Sequence, residues 1–258
     1  MYNNHIIAIG RNDLMNILLL IIVGFIIGTV VITLGGGGAA FYLGILTTVF
    51  GLGPASAAAT SLVTSFPSLL IGSYSYFRLH KIKLRIAWRM IIFAVPAVVV
   101  GSLISPYIPV KIYLYIIGGI LAILGLQTLF SRQKDHQNPN KWLAPVYGVI
   151  SGLMVGVGGL SGGGPVVAGL LVMGSDMVTA AATSSLVLVV MTATGLIFHL
   201  SAGNVDWSVG LGLMFGAILG SFLAPVLLGK LDPQKFTKYV KPILGVLLVV
   251  MGVFTALK

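Results

Sequence analysis

The residues of this chain that can bind a ligand are glycines and hydroxyl side chains, which occur twice in the same order. Three glycines precede a Thr–Ser pair in each set, first Gly36, Gly37, Gly38, Thr60 and Ser61, then Gly162, Gly163, Gly164, Thr183 and Ser184. A helix that begins after a glycine run, at Ala39 or Pro165, presents unpaired N–H groups and the positive end of its dipole. Hydroxyl groups add further donors. Both sets therefore predict a binding site for a small anion.

The residue types that are missing narrow the chemistry further. The chain has no cysteine, and its five acidic residues are all aspartates, in loops or at the ends of apolar segments. Transporters that carry protons or chelate cations bury an ionisable group in the membrane. We therefore expect no carboxylate proton relay, no metal site and no cofactor. The apolar segments also lack a nucleophile with its base, so we expect no enzymatic activity.

The same features have a purely structural interpretation. Glycines at membrane depth allow helices to pack closely, and hydroxyls bond to carbonyls of their own helix. Packing is the preferred interpretation for three ridges of small residues, which are Gly24 and Gly28, Gly152 and Gly156, and Gly212, Gly216 and Gly220. His199, near a predicted helix end, is expected at the membrane interface rather than in a ligand site.

The composition places these residues in a membrane. Hydrophobic residues make up 57% of the chain and charged residues 8%, and the mean hydropathy is +1.07. Apolar stretches cover residues 14–34, 57–77, 91–108, 112–130, 143–157, 178–198, 209–228 and 240–257. Most reach the roughly 20 residues that a spanning helix needs, and continuous runs do not match the alternating strands of a β-barrel. The predicted fold class is all-α, a polytopic membrane protein.

The order of the segments also repeats. The glycine run at 36–38, the Ala-Ala-Ala-Thr-Ser segment at 57–61 and the Gly-Ser segment at 101–106 recur 126, 123 and 119 positions later. Two apolar segments, at 39–50 and 165–173, are too short to span and occupy matching places. The chain is interpreted as one membrane domain, residues 1–258, with repeat 1 at 14–130, a cytoplasmic linker at 131–141 and repeat 2 at 142–257. Each repeat contains about five hydrophobic segments, one pair of them broken by glycines.

The positive charges predict the orientation. Twelve of the fifteen Lys and Arg residues lie in three polar stretches, at 78–89, 132–141 and 230–241, which the positive-inside rule places in the cytoplasm. The loop at 201–207 contains Asp206 and no lysine or arginine, so it is expected outside. It is equivalent to the 78–89 loop, and the two repeats are therefore expected to be inverted, with both termini outside. The net charge of +10 reflects this topology, and no nucleic-acid partner is expected.

The glycine runs, the Ala-Ala-Ala-Thr-Ser segments and the basic loop that begins at Tyr76, Phe77 and Arg78 resemble the TauE/SafE sulfite exporter family over residues 14–257. The resemblance implies a multi-pass permease of the cell membrane for small sulfur-containing or organic anions such as sulfite, sulfonates or thiosulfate. Its expected partners are the anionic substrate and membrane lipid. Some sulfur-transporting relatives use cysteines along the pathway, which this chain lacks.

Two alternatives to a carrier stay open at the level of sequence. One is a channel-like anion pore, and the other is a non-transporting membrane subunit of a larger complex. The identity of the anion, the direction of transport, the coupling ion and the oligomeric state are also open. So is the question whether the glycine-linked helix pairs span the membrane or re-enter it.

Overall fold

A computed structural model describes residues 13–130, 143–202, 205–230 and 233–257. Within these ranges the chain forms ten α-helices and no strand, so the predicted all-α class is confirmed. The helices are α1 (Asp13–Thr33), α2 (Ala39–Thr48), α3 (Pro54–Arg78), α4 (Leu84–Ile104), α5 (Val110–Phe130), α6 (Leu143–Gly158), α7 (Gly163–Val172), α8 (Met177–Ala202), α9 (Trp207–Lys230) and α10 (Pro233–Ala256). A short 3₁₀ turn, Ser105–Tyr107, follows α4. The predicted linker at 131–141 lies outside the described residues.

Glycine turns produce the two short helices predicted from the sequence. Gly38 caps the N-terminus of α2 with a φ of 82°, and Gly162 caps α7 with a φ of 52°. Glycine adopts this left-handed conformation without the steric cost of a Cβ. Each short helix has ten residues and rises about 15 Å, about half of a hydrocarbon core of about 30 Å. α7 begins at Gly163, two residues before the predicted start at Pro165.

Two close helix pairs use the ridges of small residues predicted from the sequence. α1 lies along α9, and α4 lies along α6. A Cβ added to Gly28 would lie 2.7 Å from the Cα of Ala217, and a Cβ added to Gly152 would press on the carbonyl oxygen of Ala94. The glycines at 212, 216 and 220 of α9 meet α1 in the same way. The packing interpretation of these ridges is therefore confirmed.

The contact positions fix the relative directions of the paired helices. α1 and α9 are parallel, because their contacts advance together, from 24 to 28 on α1 and from 213 to 217 on α9. α4 and α6 are parallel by the same criterion, with contacts advancing from 90 to 98 and from 148 to 156. α5 and α10 pack antiparallel, since Gly118 lies against residues 252 and 256 whereas Gly125 lies against 245 and 249.

Two hydrogen bonds define the ends of the helix bundle. The Asp206 N–H, before α9, donates to the hydroxyl of Thr60 near the start of α3 at 3.0 Å. The Lys83 N–H, before α4, donates to the hydroxyl of Thr183 near the start of α8, also at 3.0 Å. We call these places the Asp206 end and the Lys83 end. Because α4 follows α3 and α9 follows α8, the packed helices α3 and α8 run antiparallel.

Each glycine-linked helix pair forms a hairpin that starts and finishes at the same end of the bundle. α1, α3 and α9 begin at the Asp206 end, whereas α4, α6 and α8 begin at the Lys83 end. The pair α1–α2 therefore returns to the end where it began, and so does α6–α7. The short return helices reach only about halfway across a bilayer.

The outer surface is that of a membrane protein. Within the described ranges, four helical segments are long and apolar enough to cross a membrane: Pro54–Arg78, Leu84–Tyr107, Met177–Leu200 and Trp207–Ala224. Large apolar side chains such as Leu18, Ile92 and Phe215 are more than half exposed on the outside of the helices. Lipid contact explains this surface, because water would not favour so much exposed apolar area. The chain is a multi-pass membrane protein.

Candidate functional site

The two glycine turns meet between the repeats. A Cβ added to Gly163 would lie 2.5 Å from the carbonyl oxygen of Gly36, and a Cβ added to Gly37 would lie 3.2 Å from the Cβ of Ser161. Backbone therefore packs directly on backbone at this contact. The turns lie far apart in the sequence, and their meeting brings the starts of α2 and α7 close together. We call the two turns, residues 35–40 and 159–164, the glycine junction.

The sequence-predicted glycines occupy three different places in the junction. Gly36, Gly37 and Gly163 lie at the contact between the turns, where side chains do not fit. Gly38 and Gly162 cap the two short helices. Gly164 is exposed in the structure and faces the side chain of Leu124, with 3.0 Å between an added Cβ and the Leu124 Cδ2.

The helix caps show which glycines of the two repeats are structurally equivalent. Gly38 and Gly162 play the same role and are 124 positions apart, whereas the glycine runs of the sequence pair at 126. Gly35 and Gly159 form a second equivalent pair, because each presses on an alanine of the other repeat. The Cβ positions of these two glycines lie 2.5 Å from the Cα of Ala181 and 2.7 Å from the Cα of Ala58, respectively.

Serine hydroxyls hold the carbonyl groups of both turns. Ser184 donates to the Gly35 carbonyl oxygen at 2.7 Å, and Ser61 lies 3.1 Å from the Gly159 carbonyl oxygen and 2.9 Å from that of Ala58. Ser161 donates to the Gly36 carbonyl oxygen at 2.5 Å. Each of the three bonds to a glycine carbonyl joins one repeat to the other.

The two predicted threonines lie beside these serines, and their hydroxyls accept the N–H groups described above. Thr60, Ser61, Thr183 and Ser184 are all completely buried. Each predicted Thr–Ser pair therefore makes contacts with the opposite repeat, the threonine with a helix start and the serine with a glycine carbonyl. Back-bonding of Ser61 to Ala58, within its own helix, occurs as well.

The N–H groups of the junction contrast with its carbonyls. Within the described part of the chain, the backbone N–H groups of residues 37–40 and 160–164 have no hydrogen-bond acceptor. Most of these residues are buried. An unpaired buried N–H costs about 1–3 kcal/mol, and the first turns of two helices add the positive ends of their dipoles. The junction therefore presents these N–H groups free, whereas the carbonyls of Gly35, Gly36 and Gly159 are occupied by serine hydroxyls.

Several residues of the junction are not predicted by sequence reasoning. Ser161 bonds to Gly36, and Gly35 and Gly159 each press on an alanine of the opposite repeat. The spacing of 124 between Gly35 and Gly159 is a signal in the sequence, whereas no pattern marks Ser161. The hydroxyls of Ser151 and Thr192 are buried and have no partner among the described residues. No sequence pattern distinguishes them from other helix hydroxyls.

His199 lies near the end of α8 and is buried in the protein. It is only 3% exposed, and its Nε2 lies 2.9 Å from the Gly156 carbonyl oxygen. The position of His199 at the membrane interface stays a prediction. The last turns of α8 pack against the glycine-rich end of α6. The histidine satisfies its polar group there with a backbone acceptor.

The described residues contain no group of three or more His, Cys, Asp or Glu side chains that could hold a metal ion. The junction is built from glycine backbone and serine hydroxyls, together with aliphatic side chains such as Leu188. Neutral donors of this kind can bind an anion by hydrogen bonds, without a cationic side chain.

A multi-pass helical bundle with a central junction of interrupted helices defines a class of membrane transporters. The model of the family described as "Sulfite exporter TauE/SafE" matches residues 20–255. The chain belongs to this family, and the resemblance seen in the sequence is confirmed. It is a membrane transporter of the TauE/SafE family.

Curated proteins of two bacteria are similar over most of the chain. "Probable membrane transporter protein YdhB" of Bacillus subtilis strain 168 is 27% identical, covering 80% of this chain and 88% of the relative. "Probable membrane transporter protein YjnA" of the same strain is 25% identical, covering 80% and 89%. A "Probable membrane transporter protein" of Haemophilus influenzae is 25% identical, covering 80% and 82%. These names agree on transport.

Proposed function

We propose that this protein transports a small sulfur-containing or organic anion, such as sulfite, a sulfonate or thiosulfate, and binds it at the glycine junction. The family supports transport in general, and its name supports a sulfur oxyanion. The chemistry of the junction supports an anion, because hydrogen-bond donors are left free and no carboxylate is present among its residues.

The unpaired N–H groups carry this proposal. Residues 37–40 and 160–164 present donors from two helix starts that meet in the core. An oxyanion has several acceptor oxygens and gains most from convergent donors and positive dipole ends. The proposed binding residues are Gly36, Gly37, Gly38, Thr60, Ser61, Gly162, Gly163, Gly164, Thr183 and Ser184. The Gly36 N–H donates to the Val31 carbonyl, and the other glycines provide backbone amides that are free within the described residues. The hydroxyl residues lie on α3 and α8, which contact the two turns.

The proposal includes an inverted repeat. Equivalent helices α3 and α8 are antiparallel, and so are α5 and α10. α1 packs on α9, and α6 packs on α4. The symmetry that relates the two repeats exchanges these two helix pairs. An inverted repeat around a central site supports alternating access, since each half can open toward one side of the membrane.

The orientation of the molecule is also proposed. The Lys83 end carries Arg78, Lys81, Lys83, Arg85 and Arg89, and we place it in the cytoplasm of the cell. The Asp206 end then faces outside. Both termini are proposed to lie outside, and the linker at 131–141 inside.

Transport by the purified chain in proteoliposomes tests this function. Labelled sulfite, thiosulfate and an alkyl sulfonate are offered one at a time, with chloride as the comparison anion. The proposal expects saturable uptake of at least one sulfur anion and acceleration by the same anion trapped inside. Linear flux without counterflow would indicate a pore. Absence of flux for all three anions would contradict the proposal and favour a non-transporting subunit.

A further inference from the structure

Three serines bond to glycine carbonyls in the junction, although other buried serines of the same helices do not. Ser61 on α3 and Ser184 on α8 reach across to the opposite repeat, and Ser161 reaches Gly36 from the turn before α7. By contrast, Ser65 bonds to the Leu62 carbonyl at 3.2 Å and Ser185 to the Ala182 carbonyl at 2.7 Å, each within its own helix. Ser61 also lies 2.9 Å from the Ala58 carbonyl of its own helix, and Ser105 reaches the opposite repeat outside the junction, at the Val157 carbonyl. Bonding to a carbonyl of the glycine turns is therefore what Ser61, Ser161 and Ser184 share.

We propose that Ser61, Ser161 and Ser184 are positioning residues that make the junction selective for anions by occupying its carbonyl oxygens. This inference rests on the proposed function, because it assigns a role to side chains around the same site. It also changes the role expected for two of them. A serine hydroxyl has one proton to donate, and in this structure the protons of Ser61 and Ser184 point to carbonyls instead of an anion.

Occupied carbonyls change the electrostatics of the junction. A free carbonyl oxygen carries partial negative charge, so it repels an anion and helps to coordinate a cation, as the carbonyl rings of cation channels do. Exposed glycine backbone offers as many carbonyls as amides. A turn of bare glycines therefore has no inherent preference for either sign of charge. Hydroxyl donors from the opposite repeat occupy three of these acceptors, the carbonyls of Gly35, Gly36 and Gly159, and leave the amides.

The same bonds orient two of the free amides. In a trans peptide the C=O and the following N–H point in opposite directions. The bond from Ser161 to the Gly36 carbonyl therefore turns the Gly37 N–H away from Ser161, and the bond from Ser61 to Gly159 orients the Leu160 N–H in the same manner. Both N–H groups lack an acceptor in the described part of the chain. A serine that binds the carbonyl oxygen therefore fixes the direction in which the following free N–H group points.

Alanine variants of the purified full chain test the inference. Ser61→Ala, Ser161→Ala and Ser184→Ala are compared with Ser65→Ala and Ser185→Ala. The two controls remove serines that are as buried as Ser61 and Ser184 and lie on the same helices. Sulfite, thiosulfate and an alkyl sulfonate serve as anion probes, and rubidium serves as the cation probe in the same proteoliposomes. Ser61→Thr retains a hydroxyl and provides the rescue. Thermal unfolding in detergent reports the fold of each variant.

The inference predicts an about fivefold loss of affinity for the best-bound anion in each junction variant, together with increased rubidium permeation relative to anion flux. The two control variants and Ser61→Thr keep the wild-type ratio. If the junction variants lose thermal stability and flux while the ratio of anion to rubidium is unchanged, the serines are only structural and the inference is overturned. Wild-type ratios and affinities in all three variants overturn it too. A wild-type protein that binds none of the three anions contradicts the proposed function itself.

Discussion

The Lys83 end and the Asp206 end have the same backbone geometry and opposite charge. At each end the residue before a long helix donates its N–H to a buried threonine of the other repeat, at 3.0 Å in both cases. The side chains differ. The Asp206 carboxylate accepts the N–H groups of Ser208 and Val209, at 3.1 Å and 3.3 Å, whereas Lys83 makes no side-chain cap.

This difference shows that the backbone contact at each end does not depend on the side-chain charge there. The threonine contact depends on the backbone N–H, so any residue type except proline can stand before the helix and make it. A cation at a helix N-terminus is unfavourable for the helix dipole, and an aspartate is favourable. Lys83 therefore does not stabilise α4. Its charge fits the positive-inside rule, and we infer that the repeats share packing while charge sets their orientation.

Accessibility from outside gives the largest expected difference between the two ends. The chain has no cysteine, so Ser208→Cys and Arg85→Cys each introduce a single thiol at an exposed position. An impermeant maleimide added to intact cells is expected to label position 208 and to leave position 85 unlabelled until the membrane is opened. The reverse pattern would invert the proposed orientation, and labelling of both positions from outside would contradict it.

Loss of either threonine hydroxyl is expected to have nearly equal effects at the two ends. Thr60→Val and Thr183→Val keep the side-chain volume but leave the N–H of Asp206 or Lys83 without its acceptor, which costs about 1–3 kcal/mol of folding stability. Both variants should also weaken anion binding, and the double variant more than either. Thermal unfolding and equilibrium binding measure these effects. A loss confined to one end would mean that the two contacts are not equivalent.

The smallest effect is expected where the ends differ in capping. Asp206→Ala removes the carboxylate that caps α9 and should destabilise the protein by about 0.5–2 kcal/mol. Lys83→Ala removes no cap, and no loss of stability is expected from it. Thermal unfolding of both variants under the same detergent and salt conditions makes this comparison. Equal destabilisation by the two substitutions would show that capping does not distinguish the ends.

The helices and their packing ridges follow from the sequence because their causes are local. Long apolar runs must form helices in a membrane, and glycines at four-residue spacing create a smooth helix face. The break before Ala39 is equally local, since the glycine run cannot maintain a helix. The shift from 126 to 124 in the repeat register is not local, because it depends on which glycine caps the short helix.

The bonding partners of the hydroxyls were not predictable in this way. A serine in a membrane helix can bond to its own helix, to another helix or to a ligand, and sequence spacing does not decide among them. Ser184 meets Gly35, a residue 149 positions away, only because α8 crosses the first glycine turn. The burial of His199 likewise depends on the packing of α8 on α6. The direct binding of an anion by these residues stays a prediction.

The central claim is that an anion binds where the two glycine turns meet, and a matched pair of glycine substitutions tests it most directly. Gly163→Leu places a side chain against Gly36, whereas Gly119→Leu adds the same side chain on α5, where an added Cβ meets nothing within 4 Å. Equilibrium binding and flux of sulfite, thiosulfate and an alkyl sulfonate are measured on both variants after each is shown to be folded in the membrane. We expect Gly163→Leu to abolish binding and transport and Gly119→Leu to behave as wild type. Wild-type binding by Gly163→Leu would show that the junction only packs helices together and that the anion binds elsewhere.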